Sequence, residues 1–470
     1  MRDGDTLLID LPASVRDVLG GLAAGGAEAA LVGGCVRDLV LGLRPSDWDV
    51  ATSAPPDEVA GRFPGSTWEN PFGTVAVRDP AGGREVEVTT YRVEAGYRDR
   101  RRPDAVRWGS SLAEDLGRRD FTINAMAWLP SDLAAGSGRL VDPFGGAADL
   151  DSRLLRAVGD PDARIGEDAL RLIRAVRFAT RFEMRLDPPT EDAIRRNAAA
   201  AAGLSGERVR DELLRVLSGA APPSRALDRM ERLGLLAVLF PELAALRGIP
   251  QAKRLAGDAL DHSLRTADVL PAADPVLRLA GLLHDLGKAT TLADGHFIHH
   301  EKAGERLAEE VLLRLRSPRA EITRITRLVR HHMFAYSGDW SDAAVRRFVR
   351  RVGPDLLADL FALRAADDAA SGVVDPRRGG WAELRRRAAA AVADDPLEAA
   401  HLALSGDDLV AELGIAPGPE IGRLLAELLE AVLDDPGLND RGRLLARARE
   451  LAAGGDQTHH EDGSGAAAPG

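Results

Sequence analysis

The chain of 470 residues contains a single cysteine, Cys35, so an internal disulfide is excluded. Set in a Gly-Gly turn, that thiol reads as a small packing residue rather than a nucleophile. No run approaches the roughly 18 apolar residues of a membrane span, and the first residues lack a basic-then-apolar signal pattern. A soluble, cytoplasmic protein with no membrane partner is expected. Positive charge is also short: 61 Lys and Arg against 73 Asp and Glu leave a net −12. That balance argues against a nucleic-acid partner, because neutralising phosphate dominates such binding.

Local distribution weakens the objection. Arginines gather at Arg98, Arg100, Arg101, Arg102 and Arg107, at Arg118-Arg119, and at Arg164, Arg171, Arg174, Arg177 and Arg181. A solvated charged face explains such runs as readily as RNA contact does. Histidine is scarce until about residue 255, after which seven of the ten lie between His262 and His332. Metal-ligand residues packed into one stretch point to a separate site.

At this length about three domains are expected. Up to about residue 150, short alternating strands such as Thr74 to Val77 and Glu85 to Thr90 mix with helices and Gly/Pro turns. From about 151 strand signals vanish, and Ala/Leu/Arg helices are punctuated around Pro188-Pro189, Pro222-Pro223 and Pro250. From about Ala453 the chain reads as a disordered tail, which makes His459-His460 incidental.

The apolar run Leu31-Val32 into Gly33-Gly34 predicts a strand, a sharp turn and a helix start. Such a turn offers backbone N–H groups to phosphate. Asp47 and Asp49 lie two apart on a predicted strand and so face the same side. Two carboxylates held together repel, so the pair marks a divalent metal site. Glu85 and Glu87 alternate correctly to add a third carboxylate, although an exposed strand face explains them more simply. Phosphate and metal together suggest nucleotidyl transfer.

Read as a whole, Gly33-Gly34-x-x-Arg37-Asp38 followed by Asp47-x-Asp49 resembles the signature of polymerase-beta-like nucleotidyltransferases. The closest match is the class II tRNA nucleotidyltransferase and bacterial poly(A) polymerase family. Arg118-Arg119-Asp120-Phe121-Thr122-Ile123-Asn124-Ala125 and Asp142-Pro143-Phe144-Gly145-Gly146 are similar to its second motif and its connector. The resemblance implies a multidomain chain: an α/β (α+β) head over 1–150, an all-α neck over 151–250, an HD-type helical domain over 251–375, a helical C-terminal region over 376–452, and a tail over 453–470. It implies Mg2+ held by Asp47 and Asp49 as the catalytic centre, Arg119 on the incoming triphosphate, and Gly34 and Arg37 near phosphates and ribose.

Glu167-Asp168-Ala-Leu-Arg171-Leu-Ile-Arg174-Ala-Val-Arg177 is similar to the family's nucleotide-selecting helix. On one helix, spacings of three would set Asp168, Arg171, Arg174 and Arg177 along a stripe. A carboxylate accepts from an exocyclic amino group, and a guanidinium donates to a ring nitrogen or carbonyl. Asp168 with Arg171 can therefore pair with cytosine or adenine and not with uracil or guanine. Arg174 and Arg177 would complete the base and phosphate contacts. The implied reaction is template-independent addition of C and A to the 3′ end of tRNA from CTP and ATP. Poly(A) addition, or partial addition of CC or A alone, is the runner-up. Asn70-Pro-Phe-Gly-Thr-Val stands where poly(A) polymerases carry a Gly-basic-basic-Phe element, which favours tRNA. Glu207-Arg208-Val-Arg210-Asp211-Glu212-Leu213-Leu214 resembles a buttressing helix.

Downstream, His262, His284-Asp285 and Asp367 resemble the pattern of HD phosphohydrolases, which hold an unidentified divalent metal against a phosphoester. His300 and His332 are candidates for a second ion, each beside another histidine, so the register stays open. Similar sequences commonly read Gly-His-Glu where this one reads His299-His300-Glu301. A phosphohydrolase whose head merely grips RNA is the alternative of another class, and oligomeric state is not legible.

Overall fold

The computed structural model describes residues 2–68, 73–78, 85–95, 105–108, 111–251, 254–293, 296–336, 338–372 and 381–455. Arg98 to Arg102, Asn70 to Phe72 and His459-His460 lie outside the described residues, as does the chain beyond Gly455. Two units divide the chain: Met1–Ala245 with Val311–Ser317, and Leu246–Glu310 with Pro318–Gly470.

The first unit opens with the strands β1 (Thr6–Leu8), β2 (Ala29–Val32), β3 (Asp49–Thr52), β4 (Thr74–Val77), β5 (Val86–Thr90), β6 (Arg92–Ala95), β7 (Ala105–Trp108), β8 (Ala127–Asp132) and β9 (Ser137–Val141). Seven form one mixed sheet in the order β1-β9-β8-β2-β3-β5-β4, while β6 and β7 pair separately. Every residue of β2 is buried, and β5 alternates, with Val86, Val88 and Thr90 in the core and Glu87 outward. Ala30, Val32, Ala51, Tyr91, Leu116 and Ala127 make one face of that core. β3 and β5 run parallel in a register that sets Asp49 opposite Glu87.

Helices follow. Pro188 and Pro223 open the helices Pro188–Asn197 and Pro223–Arg232 at the first turn, where a missing N–H costs nothing. The Leu170–Arg181 helix buries Leu172, Ile173 and Val176 and turns arginines the other way. Two sequence expectations are corrected. Strands do not vanish after 151: Leu154–Leu155 pairs with Arg185–Leu186, and Leu292–Ala293 with His296–Phe297. Nor does Asp168 share a helix with Arg171: it has extended backbone, φ −148° and ψ 108°, after the helix Pro161–Glu167. Its Oδ1 accepts from Leu170 N at 3.0 Å, so it behaves as a capping residue in the turn between two helices.

In the second unit Asp258 and Asp261 form a capping box that starts the helix Ala259–Val269. Pro275–Leu283, His300–Arg314, Arg319–His331 and Leu357–Ala370 follow. Farther on, Gly406–Leu413, Pro419–Asp434 and Arg441–Gly455 close around Leu409, Leu424, Leu428, Val432 and Leu444. Among the described residues no helix is long and apolar enough to cross a membrane.

Candidate functional site

In the first unit, all nine metal- and nucleotide-binding candidates of the head and the nucleotide-selecting segment line one cleft of about 870 Å3. Nine arginines and seven carboxylates share its wall, so the local balance is positive although the chain is acidic. That distribution removes the objection raised by net charge.

Gly33 turns the chain from β2 into the seven-residue helix Gly34–Val40 with φ +76°, a left-handed conformation that favours glycine. The helix is short, so what the turn supplies is space. A Cβ on Gly33 would lie 2.5 Å from Arg119 Nη1 and 3.8 Å from Asp49 Oδ2. The same few ångströms thus hold a guanidinium and a candidate metal carboxylate. Asp115 accepts from Arg119 Nη2 at 3.2 Å and from Arg118 Nε at 2.9 Å, while Arg119 Nε is buried without a partner among the described residues.

Asp47, Asp49 and Glu87 line the cleft together. Burial pushes Asp49 above its ordinary value, Arg119 draws it down and Asp47 raises it again. Partial burial, Asp49, Glu85 and Asp47 all raise Glu87. Three carboxylates on one wall, two of them raised by burial and by their acidic neighbours, are a donor set for divalent cations. Glu87, read in the sequence as an exposed strand face, is placed here by the β3–β5 register.

Arg37 is buried, donating to Asn124 Oδ1 at 2.6 Å and to Asp38 Oδ1 at 2.9 Å, with Phe182 4.6 Å beneath its guanidinium. Arg174 donates twice to Asp120, at 2.6 and 2.8 Å. Although burial alone would raise Asp120, Arg174 and Asn124 bring its carboxyl down to about 2. Arg177 donates to buried Glu212 at 2.6 Å and packs on Phe178 at 4.2 Å. Arg171 donates from Nη1 to Arg164 O at 2.6 Å and Glu167 Oε2 at 2.5 Å, and from Nη2 to Arg118 O at 3.1 Å. Asp168 Oδ2 accepts from Arg208 Nη2 at 2.6 Å. Arg208, read in the sequence as part of a buttressing helix, and Arg215, which no sequence motif marks, therefore line the cleft, and Glu167 holds Arg171 on its wall.

A second cluster occupies the second unit. His262 Nε2 lies 2.9 Å from Asp367 Oδ1 and 3.5 Å from Asp285 Oδ2. His284, His300 and His332 approach Asp285 at 3.2, 3.4 and 3.7 Å through Nε2. Each of these three rings turns Nδ1 to the main-chain carbonyl three residues earlier, Gly281, Phe297 or Val329, at 2.7–2.9 Å. A ring that donates from Nδ1 leaves the Nε2 lone pair for a metal. His284 Nε2 is buried and has no aligned hydrogen bond among the described residues. His262, His284 and Asp367 could hold one ion, as could His284, Asp285 and His332. The donor set therefore fits a divalent or transition metal.

Burial alone would raise Asp285, yet His284 and Lys288 hold it well below the carboxylate range. Lys288 Nζ sits 2.5 Å from its Oδ2. The open register closes on His300 and His332. His299 is exposed and holds φ +59°, the left-handed conformation that a glycine would take without strain. Burial and the arginines Arg351, Arg330 and Arg327 lower His331 to about 4, outside the cluster.

Comparison with known proteins fits both sites. Residues 29–156 match the Poly A polymerase head domain, 183–246 the probable RNA- and SrmB-binding site of polymerase A, and 259–371 the HD domain. The A-adding tRNA nucleotidyltransferase of Deinococcus radiodurans is 38% identical over 86% of this chain and 91% of its own. The CCA-adding enzyme of Lactiplantibacillus plantarum is 33% identical over 95% and 98%. The crystal structure of the Bacillus stearothermophilus CCA-adding enzyme in complex with CTP superposes with TM-score 0.68 at 28% identity, over 95% of this chain and 98% of that one. With its polymerase-type head, its HD cluster and relatives matched nearly end to end, the chain belongs to the class II tRNA nucleotidyltransferases, the family of the CCA-adding enzymes.

Proposed function

We propose that this chain adds C and A to the 3′ end of tRNA from CTP and ATP, releasing pyrophosphate. The observation that carries this reading is that Asp168 and Arg171 both line the cleft that holds Asp47 and Asp49. A carboxylate acceptor and a guanidinium donor on one wall suit the amino-bearing edges of cytosine and adenine alike. Asp47 and Asp49, assisted by Glu87, would hold Mg2+. Two such ions supply acidification of the attacking hydroxyl and neutralisation of triphosphate charge.

The protein's own groups do the rest. Arg119, whose buried Nε has no partner among the described residues, grips the triphosphate, and Gly33-Gly34 leaves that anion room. Arg37 and Arg174, tied to Asp38 and Asp120, present fixed positive charge beside phosphate and ribose. Arg177, committed to Glu212, holds its helix against the neighbouring one. An adjoining cleft of about 670 Å3, shared by Asp47, Arg181, Phe182 and Arg215, suits the acceptor strand's last nucleotides. At the HD cluster we propose a divalent-metal phosphohydrolase acting on phosphoesters at RNA ends. The domain limits read from the sequence, at 150, 250, 375 and 452, are proposed with these roles.

A second reading, addition of the terminal A alone, is favoured by the 38% identity to the Deinococcus A-adding enzyme. One assay separates the readings: tRNA lacking all or part of its CCA end, Mg2+, and each labelled triphosphate supplied singly. Two C additions from CTP followed by one A support full addition. Extension confined to ATP on tRNA ending in CC would establish the second reading, and homopolymeric A tails would overturn both.

A further inference from the structure

We infer that Arg208, forty residues beyond Asp168, sets the enzyme's choice of base by fixing the Asp168 carboxylate. The inference rests on the base-reading role proposed above for Asp168 and Arg171. Asp168 lies in an extended turn between two helices, so no helical packing restrains its side chain. Two bonds do so instead. Leu170 N donates to Oδ1 at 3.0 Å, and Arg208 Nη2 donates to Oδ2 at 2.6 Å.

The helix bearing Arg208 is itself fixed. Glu212, one turn later on the same face of Gly206–Leu217, accepts from Arg177 at 2.6 Å and from Arg215 at 2.9 Å. Arg177 belongs to the helix that starts two residues after Asp168. Arg208 is thus presented to Asp168 from a helix anchored on the same structure as the carboxylate. Both partners retain about a fifth to a quarter of their side-chain exposure. Such a pair contributes little to stability, so its effect is orientational.

Each carboxylate oxygen accepts two hydrogen bonds. With one lone pair of Oδ2 given to Arg208, the other faces an exocyclic amino group of cytosine or adenine. A uracil or guanine carbonyl in that place meets an acceptor that cannot turn away. Without Arg208 the carboxylate pivots about its bond to Leu170 N, and the penalty on a carbonyl-bearing base falls.

The test uses the full chain, a tRNA lacking its CCA end and each of the four nucleoside triphosphates singly. kcat and KM are measured for the wild type, Asp168→Ala, Arg208→Ala, Arg208→Lys and the double alanine variant. Arg208→Ala is expected to lower the preference for CTP and ATP over UTP about tenfold, chiefly through KM. Arg208→Lys restores part of it, and the double variant is no less selective than Asp168→Ala. If Asp168→Ala leaves base preference unchanged, the base-reading role fails and the inference fails with it. If Asp168→Ala relaxes the preference while Arg208→Ala does not, or slows all four nucleotides equally, Arg208 only supports the fold and the inference is overturned. Should circular dichroism show Arg208→Ala unfolded, Arg208→Lys and Arg208→Gln carry the same comparison.

Discussion

The two polar centres of this tRNA nucleotidyltransferase are built by opposite means. In the head cleft, most long side chains are already committed to protein partners: Arg171 to Glu167, Arg174 to Asp120, Arg177 to Glu212, Asp168 to Arg208. In the HD cluster, four histidines and Lys288 converge on the buried Asp285 carboxylate, and among the described residues His284 Nε2 is left without an aligned partner. A cleft that must admit one large anionic substrate after another keeps its shape by satisfying its charges internally. A cluster whose donors are aimed at a single point suits a small ion.

That contrast can be broken at the head first. Asp49→Ala should reduce nucleotide addition by about a thousandfold or more while sparing any HD phosphohydrolase activity. An Asp49→Ala enzyme still adding at a tenth of the normal rate would remove the metal assignment. At the other centre, Asp285→Ala should strip divalent metal from the purified protein, read by elemental analysis, and leave addition intact. Loss of addition in that variant would show that the two centres do not act independently.

Smaller effects sharpen the comparison. Glu212→Ala leaves Arg177 buried and uncompensated, and urea unfolding should show a loss of about 3 kcal/mol. A loss within experimental error would mean that the helix pair is held by apolar packing alone. The pH dependence of stability tests the internal satisfaction of the cleft. Asp120 stands at about 2 in the folded chain against an ordinary 3.8. A carboxyl lowered by folding stabilises the fold above its unfolded value and loses that contribution as pH falls. About 2 kcal/mol should therefore disappear between about pH 4 and pH 2. Asp120→Asn should flatten that part of the acid-unfolding profile, and an unchanged profile would reassign the acid sensitivity to other carboxylates.

Much of this was legible in the residues. Asp47-x-Asp49 after a Gly-Gly turn, and His284-Asp285 with His262 and Asp367, were readable because short spacing within one element survives folding intact. Partners supplied by another element were not. Glu87 became a companion of Asp49 through a parallel strand register that no local pattern encodes. Arg208 reads as part of a buttress because its forty-residue separation from Asp168 hides the pair. Spacing predicts Asp168 on the helix, whereas its own capping bond keeps it outside. The histidine doublets resolved only through backbone conformation, which places His300 and His332 inward.

The turn at Gly33 sets a limit on what can be altered by protein engineering. An alanine there would need a strained φ of +76° and would force its methyl group into the Arg119 guanidinium 2.5 Å away. The hydrogen atom at that carbon is therefore a spacer between a cation and the edge of a candidate metal carboxylate. Widening it by one methyl should misplace the triphosphate grip while leaving every charged group of the cleft chemically intact.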